Sequence, residues 1–190
     1  MQRWGLLLLL VLLAGLAGGC ATPMGLAYNE LFVNTKLSEE DLHGEKTYVL
    51  KVPLVKQKSG ACCGLAALAM VMDYWTEKPV YAKKFEEMDC PPKGFTGAAL
   101  KAISKTNGFE AVTYQGSLPD LFKHLTATRP LIVMLKTYTA RHYVVVIGHS
   151  DEGRLVINDP IKGTIFFGME DFLSRWKGAN RFTMLVVQKS

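Results

Sequence analysis

The sequence predicts an α+β fold in which one buried helix packs against an antiparallel sheet. Residues 63–75 are apolar nearly all round, which is typical of a helix buried on every side. Helical patterns dominate up to residue 126 and period-two strand patterns dominate afterwards, an order typical of α+β rather than alternating α/β proteins. The 190 residues are 49% hydrophobic and 21% charged, which suits a globular domain and excludes a disordered chain.

The elements follow from these periodicities. A loop at 57–60 precedes the buried helix, and Ser117 supplies an N-cap to a later one. The predicted helices are Cys63–Trp75, Tyr81–Met88, Gly97–Thr106, Leu118–Thr126 and Glu170–Trp176, and the predicted strands are Thr47–Val55, Phe109–Tyr114, Leu131–Lys136, His142–Gly148, Gly153–Asn158, Thr164–Phe167 and Phe182–Val187. Since no internal linker interrupts them, one domain is expected over residues 46–190.

The N-terminal residues 1–19 are predicted to be a signal peptide. A single Arg3 precedes an unbroken apolar run, Leu6–Leu13, which is too short to span a bilayer. Small residues and then Cys20 follow, a layout that resembles a bacterial lipoprotein signal. Cys20 is therefore expected to carry lipid, and residues 20–45 are expected to form a lipidated tether. The alternative is an ordinary secretory peptide cut near Ala17, which leaves Cys20 a free thiol.

This reading places the protein in the cell envelope, anchored to a membrane by lipid. Ala21 follows Cys20, and it is not the Asp that usually retains lipoproteins at the inner membrane. The periplasmic face of the outer membrane is therefore the expected location in a two-membrane bacterium. The formal charge of +5 is modest and its Lys and Arg are scattered, so no nucleic-acid partner is expected.

Cys63 is the candidate nucleophile. It stands where a loop enters the buried helix, and the partial positive charge and free amides of a helix N-terminus favour a thiolate. Gly64 directly after it would leave room for a substrate backbone to approach. Gln57, six residues earlier, can reach back with its side-chain amide and, together with the Cys63 backbone N–H, form an oxyanion hole.

His142 is the candidate base and Asp159 its orienting carboxylate. A four-residue loop at 149–152 would set Gly148 opposite Gly153, which in turn places His142 opposite Asp159 on one face of the sheet. His149 is then expected on the other face. A register error of one residue would reverse this arrangement.

The same residues resemble the bacteriocin-processing, double-glycine cysteine peptidase family. The resemblance begins at Gln57–Val71, and continues through Asn107–Ala111, His142–Val146, Val156–Pro160 and Met169–Trp176. It implies a papain-like peptidase fold, with Cys63 as nucleophile, His142 as base, Asp159 as its orienter and Gln57 as oxyanion donor. It also implies peptide-bond hydrolysis through a thioester, a peptide or protein substrate and no cofactor.

Two departures from that family affect the substrate. Members commonly carry Asp immediately before the nucleophile, whereas this chain has Cys62. The sequence also shows no transmembrane bundle and no nucleotide-binding motif, so no attached exporter is expected. The four candidate residues do not by themselves specify hydrolysis. Two alternatives stay open, which are acyl or amide transfer by the same triad and non-catalytic peptide binding. A zinc site from Cys62, Cys63 and Cys90 with a histidine is disfavoured, because adjacent cysteines do not match chelating spacings.

The remaining cysteines suggest a disulfide. If Cys20 carries lipid and Cys63 stays reduced, Cys62 and Cys90 are left in a compartment that permits disulfides. Their bond would clamp the loop that carries the nucleophile. The alternative is two buried free thiols.

Overall fold

The computed structural model describes residues 47–138 and 140–189, so the expected signal peptide, the lipidated tether and Cys20 lie outside the described residues. Within the described part of the chain there are five helices and seven strands. The helices are α1 (Cys63–Thr76), α2 (Val80–Glu86), α3 (Gly97–Thr106), α4 (Leu118–Thr126) and α5 (Met169–Gly178). The strands are β1 (Thr47–Val49), β2 (Phe109–Gln115), β3 (Leu131–Lys136), β4 (Arg141–Ser150), β5 (Arg154–Asp159), β6 (Gly163–Gly168) and β7 (Phe182–Gln188).

All seven strands belong to one antiparallel sheet with the order β2-β7-β3-β4-β5-β6. The first half of β4 pairs with β3, and its second half pairs with β1. Gly148 is required at this second contact, because a Cβ there would collide with the Tyr48 carbonyl oxygen. The α+β class with an antiparallel sheet, predicted from the order of periodicities, is confirmed.

Helix α1 is the central helix, as predicted. Every residue from Cys63 to Asp73 is buried, and the helix packs against β4, β7, α2 and α3. Its one buried carboxylate, Asp73, accepts hydrogen bonds from the backbone N–H groups of Tyr81 (2.7 Å) and Ala82 (2.9 Å). This carboxylate therefore satisfies free amides at the N-terminus of α2 and fixes that helix against α1.

The predicted strand Thr47–Val55 is wrong beyond Val49. Its chain continues without regular pairing because β3 occupies the same edge of β4 up to Val146, and because Pro53 has no N–H for a ladder. Side chains hold this segment instead, since Asn158 Nδ2 donates to the Val52 carbonyl at 3.0 Å. Residues 50–62 thus become an irregular segment that leads to the helix start.

None of the helices within residues 47–138 and 140–189 combines the length and the apolar character that a membrane span requires.

Candidate active site

The candidate nucleophile, Cys63, is the first residue of α1. Its thiol is buried, and hydrogen bonding by the His142 side chain and by the backbone N–H groups of Tyr143 and Gly64 favours its thiolate form. The helix start thus supplies one amide, as the sequence predicted, and β4 supplies a second that sequence reasoning missed. Burial alone raises the pKa of Cys63, but these hydrogen bonds and the charge of His142 lower it below its ordinary value.

His142 joins Cys63 to Asp159. Its Nε2 lies 2.9 Å from Asp159 Oδ1, and both side chains are largely buried. Since Nε2 donates to the carboxylate, Nδ1 is the ring nitrogen that remains for the sulfur. Burial alone lowers the pKa of His142, whereas the hydrogen bonds and charges of Asp159 and Cys63 raise it to about 9.

Asp159 ends β5 and is held in place by its own turn. Its Oδ1 accepts hydrogen bonds from the backbone N–H groups of Ile161 (2.7 Å) and Lys162 (3.2 Å) as well as from His142. Burial raises the pKa of Asp159, and these donors outweigh burial and lower it below its ordinary value. The carboxylate therefore stays ionised beside a protonated imidazole.

The predicted register between β4 and β5 is wrong, although the predicted shared face is right. Gly148 pairs with Val156 rather than with Gly153, and a β-bulge between Val146 and Gly148 shifts the pairing back by one residue. In the first half of β4 the observed pairing therefore differs from the predicted pairing by two residues, and a shift of two leaves each side chain on its predicted face of the sheet. His142 and Asp159 are therefore diagonal neighbours rather than directly opposed residues.

The same bulge overturns the expectation for His149. Because the bulge inserts one residue, the pair His149–Leu155 lies on the same sheet face as His142. His149 is instead too far from Cys63 to act as its base, because it lies seven strand residues beyond His142, a span of about 20 Å. Its ring packs against Phe122 and Tyr48 at the far end of β4.

Gln57 lies on the irregular segment that precedes α1. Its backbone N–H donates to the Pro160 carbonyl at 3.1 Å, which ties this segment to the residue after Asp159. Its side-chain Nε2 donates to the Ser59 carbonyl at 2.6 Å, while its buried Oε1 has no hydrogen-bond partner among the described residues. The oxyanion role of Gln57 stays a prediction.

Gly64 has a packing role in addition to the one expected. A Cβ at Gly64 would lie 3.0 Å from Tyr143 Cδ2 and 3.2 Å from Leu100 Cδ1. The Tyr143 ring also meets Phe182 edge-on, with 5.7 Å between ring centroids. Gly64 therefore admits the Tyr143 ring against the helix start, so its small size serves packing; the room that it leaves for a substrate backbone stays a prediction. The large aromatic side chain of Tyr143, directly after His142 in the sequence, is the feature from which this packing could have been predicted.

A cleft of about 540 Å³ opens beside Cys63. One wall is formed by the loop before Cys63, residues 57–62, which is named the nucleophile loop; a second is formed by residues 92–97, and a third comes from the sheet. The lining residues include Ala61, Cys63, Gly94, Phe95, Met134, Arg141, Tyr143 and Phe182. An extended peptide laid in this cleft would pass the sulfur, which is the arrangement that acyl transfer to a thiolate requires.

Cys62 and Cys90 form a disulfide, with their Cα atoms 5.5 Å apart, which is the pairing expected from the sequence. Cys63 remains a free thiol. Both sulfurs of the disulfide are consumed, so they cannot supply the thiolates that the disfavoured zinc site would need. The bond connects the residue before the nucleophile to the segment that leads into the second wall of the cleft.

Comparisons with known proteins agree with this geometry. The chain is similar to the probable functional amyloid protease FapD of Pseudomonas fluorescens, with 29% identity over 133 residues. That match covers 66% of this chain and 57% of the relative, so this chain spans little more than half the relative's length.

Solved structures show the same fold. The peptidase domain of Streptococcus ComA superposes with a TM-score of 0.60 at 27% identity, covering 75% of this chain and 99% of that domain. A double glycine motif protease from an AMS/PCAT transporter, solved in complex with the leader peptide, superposes with a TM-score of 0.58 at 23% identity, covering 74% of this chain and 94% of the other. The papain-like peptidase fold is confirmed.

A model of the Peptidase C39 family matches residues 51–189, which is most of the chain and nearly all of its described part. The resemblance to the double-glycine cysteine peptidases is thereby confirmed. This chain belongs to the Peptidase C39 family.

Proposed function

We propose that this chain hydrolyses peptide bonds with Cys63 as nucleophile, His142 as proton carrier and Asp159 as the orienting carboxylate. The observation that carries the proposal is the 2.9 Å contact between His142 Nε2 and Asp159 Oδ1, which leaves Nδ1 for the hydrogen-bonded sulfur of Cys63. The lowered pKa of Cys63 and the raised pKa of His142 favour a thiolate–imidazolium pair in the resting enzyme.

The reaction follows from that pair. The Cys63 thiolate attacks the substrate carbonyl carbon, and the negative charge moves to the carbonyl oxygen. His142 then gives its Nδ1 proton to the leaving amine as the C–N bond breaks, which leaves a thioester on Cys63. Water attacks the thioester and gives a proton to His142, and expulsion of the sulfur regenerates the thiolate–imidazolium pair.

Two donors are proposed for the oxyanion. The Cys63 backbone N–H belongs to the first turn of α1, where helical amides lack carbonyl partners in the same helix. Gln57 supplies the second donor through its side-chain amide. Because Nε2 carries two hydrogens, it can keep its bond to the Ser59 carbonyl while the other N–H serves the oxyanion.

We further propose that the peptidase works outside the cytoplasm, held by lipid on Cys20 at the periplasmic face of the outer membrane. The Cys62–Cys90 disulfide supports an oxidising compartment, since such bonds rarely persist in the cytosol. Mass spectrometry of the N-terminal peptide of the full chain is expected to find an acylated Cys20. An unmodified Cys20, or a chain that begins near Gly18 without lipid, would refute the anchor.

The substrate is proposed to be a protein handled in the cell envelope. The similarity to a protein named as a functional amyloid protease favours a secreted amyloid system over an exporter-borne leader peptide. Small residues such as glycine are expected before the cleaved bond, as the double-glycine relatives imply.

The test compares variants of the full chain on a fluorogenic peptide that ends in Gly-Gly before the reporter amide. Cys63→Ala and His142→Ala are expected to abolish turnover, whereas His149→Ala, the matched histidine at the far end of β4, keeps it. Labelling by a thiol-directed electrophile at neutral pH reports separately on Cys63. Labelling without turnover would indicate a peptide-binding protein, and amide products in the presence of an added amine would indicate acyl transfer.

A further inference from the structure

The second wall of the cleft belongs to a segment that has no helix or strand before Gly97 and is held by local hydrogen bonds. Residues 87–96 connect α2 to α3, and residues 92–97 face the cleft that contains Cys63. The hydrogen bonds found for 87–96 in the described part of the chain are local, such as Gly94 N–H to the Pro91 carbonyl at 2.7 Å and Met88 N–H to the Phe85 carbonyl at 3.2 Å. None of these bonds crosses to the nucleophile loop.

Two features bring the wall close to that loop. The Cys62–Cys90 disulfide joins the wall segment covalently to the residue before the nucleophile. Gly94 has a positive φ of 72°, and a Cβ there would lie 3.1 Å from the Ala61 carbonyl oxygen. The wall thus rests directly on the nucleophile loop and is tied to it at its base.

The triad is held by different contacts. Cys62 keeps its backbone position through hydrogen bonds to the Ser59 carbonyl (3.1 Å) and from Ala66 N–H (3.0 Å), which belong to the helix start. His142 and Asp159 are held by β4, β5 and the turn after β5. Loss of the disulfide therefore leaves these supports of the triad in place.

We propose that the Cys62–Cys90 disulfide is a positioning element that sets the spacing between the 92–97 wall and Cys63, and so determines affinity for the peptide substrate. This rests on the proposed function, since it takes Cys63 as the nucleophile. Without the bond the wall segment moves away from the nucleophile loop. A peptide then binds more weakly, while the reactivity of the thiolate itself is unchanged.

The experiment measures two reactions of Cys63 in the full chain. A peptidyl-Gly-Gly chloromethyl ketone needs the cleft, and its saturation gives a binding constant; iodoacetamide is too small to need the wall. In Cys62→Ala/Cys90→Ala the binding constant for the peptide reagent is expected to weaken about tenfold. The iodoacetamide rate is expected to stay within about twofold of wild type.

A pair of glycine variants tests the same wall with the disulfide intact. Gly94→Ala and Gly153→Ala place alanine at nearly equal φ values, 72° and 74°, but only the Cβ at 94 meets the nucleophile loop. Both are expected to lose similar stability. Gly94→Ala is expected to weaken the peptide reagent severalfold, and Gly153→Ala is not.

The outcomes separate the possible roles. Unchanged binding in the double variant, or equal binding in the two glycine variants, would overturn the proposal and leave the disulfide a stabilising bond only. A large drop in the iodoacetamide rate of the double variant would also overturn it, because the bond would then position the sulfur. If Cys63→Ala retains turnover, the proposed function itself fails. If the double variant does not fold, the glycine pair still tests whether the spacing between the wall and the nucleophile loop sets affinity, and equal binding in the two variants then overturns the proposal.

Discussion

Replacing Asp159 with asparagine is expected to disturb the charge of the site while keeping its shape. The carboxylate oxygen Oδ1 accepts from His142 and from two backbone amides of its own turn. An asparagine oxygen can accept from the same donors, so the ring keeps its orientation and its Nε2 proton. What is lost is the negative charge that stabilises the imidazolium.

The magnitude follows from the pKa of His142. Its rise from 6.5 to about 9 corresponds to about 3 kcal/mol, at about 1.4 kcal/mol per pKa unit. Asp159 and Cys63 both contribute to this rise, so the charge of Asp159 accounts for only a part of it, on the order of 1–2 kcal/mol. Asp159→Asn is therefore expected to reduce formation of the thiolate–imidazolium pair about tenfold.

The pKa values of His142 and Cys63 are both expected to shift in Asp159→Asn. In Asp159→Asn the pKa of His142 falls, so the alkaline limb of activity, near pH 9 in the wild type, moves to lower pH. A less stable imidazolium supports the thiolate less, so the pKa of Cys63 rises and the acidic limb moves to higher pH. The active window narrows from both sides.

The assay is the rate of Cys63 alkylation by iodoacetamide as a function of pH, together with kcat/KM on the fluorogenic peptide. Asp120→Asn is the matched control, because Asp120 is also an aspartate beside a histidine but lies outside the candidate site. Its Oδ1 is 3.5 Å from His124 Nε2 on α4. It should leave both profiles unchanged. If the Asp159→Asn alkylation profile superposes on that of the wild type, the charge of Asp159 does not act on the pair and the reasoning fails.

Three further predictions follow from the site. Gln57→Ala is expected to slow acylation roughly a hundred- to thousandfold, as for other single oxyanion donors, and an unchanged rate in rapid-mixing measurements would leave only the backbone amide. His142→Ala is expected to cost nearly as much activity as Cys63→Ala, because members of a triad are not additive; steady-state kinetics of the single and double variants test this. The wild-type free energy of unfolding should vary little between pH 6.5 and 9, because folded and unfolded chains bind the same number of protons: the folded pair holds one on His142, and the unfolded chain holds one on Cys63. In Cys63→Ala this balance is lost, because only the folded chain then holds the extra proton. Urea unfolding of that variant should therefore show a stability that falls as pH rises through the raised pKa of His142.

Several features of this protein were predictable from the sequence because they depend on near neighbours in the chain. Helix α1 was predicted over Cys63–Trp75 and extends only one residue further, since apolar residues on all sides specify a buried helix. The N-cap of α4 was predicted as well, and Ser117 Oγ accepts from Asp120 N–H at 3.3 Å. The position of Cys63 at a helix start follows from the same local pattern.

The register of β4 and β5 could not be obtained in this way. A period-two pattern tells which residues share a face, but not how many residues the turn takes or where a bulge lies. The turn and the bulge near Ile147 each changed the pairing by an odd number of residues. Their combined shift is even, which is why His142 and Asp159 meet although the predicted pairing was wrong.

The sequence by itself determined the class of fold, the buried helix, the family and the residue types of the proposed triad. Only the tertiary structure decided that His142 Nε2 meets Asp159 Oδ1, that the Tyr143 amide helps to lower the pKa of Cys63, and that the wall at 92–97 rests on the nucleophile loop. Local propensity is set by interactions within a few residues of the chain. Distances between residues far apart in sequence depend on loop lengths, bulges and side-chain packing, which become fixed only when the whole domain folds.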